Sequence, residues 1–78
     1  KKLEPRLFSN ITNLNFIDLN SNQLEILENE YFFGLKKLTK LSLASNKIEK
    51  IESKAFYDLE NLKELHLSNN KIKYLEQD

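Results

Sequence analysis

Apolar residues recur along this chain at a fixed interval of 24 positions. The segment Leu14-x-x-Ile17-x-Leu19-x-x-Asn22-x-Leu24 is followed by Leu38-x-x-Leu41-x-Leu43-x-x-Asn46-x-Ile48, and then by Leu62-x-x-Leu65-x-Leu67-x-x-Asn70-x-Ile72. The phase continues through Leu27, Ile51 and Leu75, through Phe32 and Phe56, and through Leu35 and Leu59, and it extends backwards to Leu3, Phe8 and Ile11. Most of the apolar residues hold these in-phase positions, so the chain divides into a half unit at 1–13, full units at 14–37 and 38–61, and an incomplete unit at 62–78. Such a period marks a repeat architecture, in which each unit covers its apolar side with the next.

Within each unit the alternation at Ile17-x-Leu19, Leu41-x-Leu43 and Leu65-x-Leu67 has period two and predicts a short strand with one face inward. One strand per unit implies a parallel sheet with strands about 4.8 Å apart, the rest of the unit returning across the back. Phe32-x-x-Leu35 has the spacing of one short helical turn facing the core. Asn10, Gly34 and Asp58 share a phase between the apolar anchors; these types tolerate positive φ best, which predicts a turn there. Asn22, Asn46 and Asn70 stand where the strand ends and the chain bends inward, so their amides are expected to satisfy backbone groups that lose their partners at the bend. Phe8, Phe32 and Phe56 are expected to stack as a second ladder at the back, with Ile11 turned inward.

The string L-x-x-L-x-L-x-x-N-x-L resembles the leucine-rich repeat, and the likeness covers the chain except for its last three residues. The resemblance implies an α/β-type repeat solenoid: a right-handed coil with a short parallel sheet on the concave face and short helical or irregular turns on the back. The 24-residue length, with an aromatic in the return segment at Tyr31-Phe32 and Ala55-Phe56, is similar to the "typical" subclass of extracellular proteins. That subclass includes Toll-like receptors, small leucine-rich proteoglycans, and insect immune and neuronal adhesion proteins. It implies recognition of another protein or glycoprotein outside the cell. A cytoplasmic adaptor built from shorter repeats is the runner-up.

Repeat proteins of this kind bind through the outward strand residues of the concave face. Here that face presents Phe16, Lys40 and Glu64 in one column and Asp18, Ser42 and His66 in the next. Phe16 is the exception on a polar face: an outward aromatic is either a partner anchor or a ring that packs on a preceding coil. Ser42, His66 and Asp18 superficially form a hydrolytic set. Strand spacing keeps them about 5 Å apart per step on a shallow face that admits water, so no catalysis is expected.

Composition narrows the partner. Twelve Lys and Arg balance twelve Asp and Glu, so no basic excess favours nucleic acid or an anionic membrane. The chain has no cysteine, one glycine and one histidine, which leaves no thiolate metal site, no glycine-rich phosphate loop and no ligand cluster; neither metal nor cofactor is expected. Asn10-Ile11-Thr12 is an N-x-T acceptor, making Asn10 a candidate N-glycosylation site. Three strands span a patch of only about 200 Å², against roughly 800 Å² per partner in a specific interface. Apolar end faces also normally need caps. The expectation is therefore a fragment, a processed piece, or a chain that self-associates through uncapped ends. Architectural or oligomerisation repeats without a ligand are the competing function.

Overall fold

The computed structural model describes residues 3, 4, 6–11 and 13–75. Six short strands run in chain order: β1 (Phe16–Asp18), β2 (Ile26–Leu27), β3 (Lys40–Ser42), β4 (Lys50–Ile51), β5 (Glu64–His66) and β6 (Tyr74–Leu75). They form two parallel sheets, β1-β3-β5 and β2-β4-β6. The register steps by one 24-residue unit each time: Ile17 pairs with Leu41 and Leu41 with Leu65, while Leu27 pairs with Ile51 and Ile51 with Leu75.

The first sheet lies where the period-two alternation predicts it. The second was not foreseen, because Ile26-Leu27 and its equivalents offer only two residues each and no visible alternation. Their pairing follows from the repeat itself: once the first sheet fixes the spacing of the coils, equivalent backbone segments lie side by side and satisfy one another.

The return segments are turns, and no helix occurs among the described residues. In unit 14–37 the amides of Tyr31, Phe33 and Leu35 donate to the carbonyls of Glu28, Glu30 and Phe32; the next unit repeats this at Ala55, Tyr57 and Leu59. Only alternate residues make these i→i−3 bonds, so no helical run builds up. Positive φ at Glu30 (71°) and Gly34 (84°) breaks it further.

Gly34 alone of its column takes a left-handed backbone. Asn10 and Asp58 lie in turns too, but Asp58 contributes differently: its carboxylate accepts a 2.8 Å bond from the Gly34 amide one unit back. The recurrent left-handed positions are instead Ser21, Ser45 and Asn69, all near 60°, at the bend after each strand of the first sheet. Serine is not a favoured residue there, so this phase could not be read from residue type.

Of the asparagines beside that bend, Asn46 and Asn70 link neighbouring coils. Asn46 Nδ2 donates to the carbonyls of Leu43 and Ala44 in its own coil and Leu19 in the preceding one, while its Oδ1 accepts the amide of Leu24. Asn70 repeats this set with Leu67, Ser68, Leu43 and the amide of Ile48. Asn22 bonds Leu19 and Asn20.

Beneath them Leu24, Leu27, Leu35, Leu38, Leu41, Leu43 and Ile48 are fully buried. In the first sheet Ile17 on the edge strand β1 and Leu41 on the central β3 are covered, whereas the equivalent Leu65 on the other edge strand is 39 % exposed. Ile11, expected to face inward, is likewise exposed; the half unit that carries it has no strand of its own among the described residues to pack beside it. The phenylalanine ladder stacks with its rings nearly parallel, the centroids of Phe8 and Phe32 6.2 Å apart and those of Phe32 and Phe56 6.3 Å, with interplanar angles of 9° and 13°. Tyr31 is buried beside it in an edge contact with Phe32.

Three stability outcomes follow from this packing. Asn46→Ala leaves backbone groups of two coils unpaired and is expected to cost about 1–3 kcal/mol in denaturant unfolding; a loss no larger than that of exposed Lys47→Ala would refute the coupling. Phe32→Ala removes the ring stacked on both sides and should cost about 3–5 kcal/mol, against a much smaller effect for exposed Phe33→Ala. Burial raises the Tyr31 phenol above its ordinary pKa, and the Glu28 carboxylate adds to the rise. The unfolded chain therefore releases that proton first, so the associated stability is complete below about pH 10 and is lost as pH climbs through the folded value. Tyr31→Phe is expected to flatten the alkaline fall in melting temperature; an unchanged fall would assign it to other groups.

Candidate recognition face

The register of the first sheet aligns the predicted surface residues. Phe16, Lys40 and Glu64 form one outward row, and Asp18, Ser42 and His66 the next. Phe16 remains 49 % exposed within the chain. The Lys40 ammonium stands 4.9 Å from its ring centroid, a cation–π contact that steadies the aromatic without covering it. Along β5 the His66 Nε2 lies 3.3 Å from the Glu64 carboxylate, both side chains about half exposed.

The second row is divided between presentation and support. Asp18 accepts the backbone amide of Asn20. Asn20 Oδ1 in turn accepts the Ser42 hydroxyl and the Ala44 amide, both at 2.7 Å. Ser42, expected to be part of the exposed face, is only 6 % exposed, and its hydroxyl is committed to Asn20. It is small and lies between Asp18 and His66, where larger neighbours cover it. Ser42 and Asp18 thus both bond Asn20, and His66 meets Glu64; these contacts do not assemble a Ser–His–Asp relay.

Asn10 is exposed in the turn of the first half unit, while Thr12 of its acceptor triplet lies outside the described residues. Among the described residues no group of three His, Cys, Asp or Glu side chains is placed to hold a metal, and no helix is long and apolar enough to cross a membrane.

A second cluster lies on the turn side and was not singled out from the sequence. Arg6 pairs with Glu30 at 2.7 Å and its guanidinium stacks 3.8 Å over the Phe33 ring. Lys54, one unit beyond Glu30, stands 5.9 Å from the ring of Tyr57. The 24-residue phase does contain this signal: Arg6, Glu30 and Lys54 form one column of alternating charge, and Phe33 and Tyr57 form another of aromatic residues outside the core positions.

Comparison with known families gives a model described as "Leucine rich repeat", matching residues 1–48 and 36–78. The two matches together span the chain. The protein belongs to the leucine-rich repeat family. Comparison with curated proteins gives no match. Family membership makes the repeat unit one coil of a solenoid and the parallel sheets its stacked rungs. Leucine-rich repeats are in general protein-interaction modules without enzymatic activity.

Proposed function

We propose that the outward face of the β1-β3-β5 sheet is the concave recognition surface of a right-handed coil, and that it binds another protein or glycoprotein as part of an extracellular receptor, adhesion or immune protein. The observation that carries this reading is Phe16: an aromatic ring half exposed on an otherwise polar sheet, braced by Lys40 at 4.9 Å. Exposed aromatics steadied in this way are the usual anchors of interfaces. Lys40, Glu64, Asp18 and His66 surround it with both signs of charge, which suits a specific protein surface better than a uniformly charged polymer. Right-handedness is supported by the strong preference for that hand in parallel crossover connections.

The extracellular placement rests on the length of the unit and the aromatic of its return segment. In that compartment exposed Asn10 becomes an N-glycan acceptor on the turn side, away from the proposed face. Ser42 supports the face from beneath.

Proximity labelling followed by reversible cross-linking tests the assignment. The triple variant Phe16→Ala, Lys40→Ala, Glu64→Ala is expected to lose its cross-linked partner while keeping the wild-type melting temperature, and a flank variant, Glu25→Ala with Lys47→Ala, should retain it. Unchanged cross-linking by the triple variant, together with an altered mass in sedimentation, would move the function to assembly.

A further inference from the structure

A cavity of about 250 Å³ opens between the turns 29–34 and 53–58, apart from the recognition face. Its floor is the buried Phe32 and Ala55, and its walls are the outward rings of Phe33 and Tyr57, 37 % and 75 % exposed. The hollow has a definite origin in the sequence. Tyr31 and Ala55 occupy the same phase of successive units and both are buried, so the change from a phenol to a methyl group leaves a ring-sized space beside Phe32.

The surroundings select the occupant. Glu30 and Asp58 stand at the rim with Lys54, and Arg6 lies just beyond, paired with Glu30. Two cations and two carboxylates leave the rim without net charge, and Glu30 is already paired with Arg6, so a charged side chain gains no net attraction there to offset its loss of hydration. A neutral aromatic body fits the walls by ring–ring contact. Asp58 spends one acceptor position on the Gly34 amide and keeps others for an incoming donor, since a carboxylate offers about four. The volume falls below the roughly 300–1,000 Å³ of small-molecule sites and suits one large side chain rather than an extended ligand.

We propose that this hollow is a second contact site, which takes the indole of a tryptophan presented by a partner protein, its ring between Phe33 and Tyr57 and its N–H directed to the rim carboxylates. The site lies on a different part of the coil from the Phe16 row and does not depend on that row binding anything.

Titration of the isotopically labelled protein with N-acetyltryptophanamide, followed by amide chemical shifts, tests the site. Saturable shifts are expected at Phe33, Ala55 and Tyr57, with a Kd of about 1 mM or tighter for a lone side-chain analogue. Tyr57→Ala, which alters only an exposed ring, should weaken binding at least about fivefold. Ala55→Leu, which fills the floor, should abolish it. Absence of saturable shifts, shifts centred on other residues, or an affinity insensitive to Tyr57→Ala would overturn the proposal. So would stronger perturbation of the same amides by N-methylguanidinium or acetate.

Discussion

Each coil of this protein ends its first strand with a bend that strips partners from several backbone groups, and the side-chain amide of one asparagine per coil replaces them. The arrangement at Asn46 shows why the rest of the fold depends on it. Its Nδ2 faces carbonyls of two coils and its Oδ1 the amide of Leu24, so one planar group fixes both the bend and the distance to the next coil. A buried amide left without these partners would carry a desolvation cost comparable to a whole hydrogen bond or more. With them, the left-handed residue beside each bend is held in place, and the two sheets fall into a common register.

Packing then follows with little freedom. The leucine and isoleucine positions meet their equivalents at the same spacing, and the phenylalanines stack because each ring is carried by an equivalent turn at the same phase. The chain has no cysteine from which to form a disulfide. The protein instead relies on repetition: each contact that stabilises one coil is available again in the next. Most variation lies on the outside of the coil, where neutrality of the whole chain conceals local structure, such as a braced aromatic on the sheet and a column of alternating charge on the turns.

Much of this was legible in the sequence because the period aligns residues that touch. The inward faces of the three longer strands, the phenylalanine ladder and the bend asparagines all lie at positions where residue type repeats strictly. What was not legible lies where residue type varies within a column or where backbone alone makes the contact. The second sheet is held by two-residue segments whose side chains carry no alternation. Left-handed serines at 21 and 45 take a conformation their type does not announce. Ser42 shares a column with exposed Asp18 and His66 yet is covered, since its size and its bond to Asn20 decide burial, not its phase. The hollow beside Ala55 is visible only after the size of each residue in the column is compared, and Tyr31 and Ala55 fall outside the strictly repeating positions.

The asparagine bonds between coils also bear on how the chain reaches this state. Asn46 contacts the preceding coil at separations of 22 and 27 residues, and the equivalent bonds of Asn70 span the same distances. Every closure needed to add a coil is therefore of one size. The entropy of closing a loop grows only with the logarithm of its length, and here that length is set by the repeat and not by the protein. Each added coil therefore closes a loop of the same length and meets the same closure entropy, whatever the number of coils.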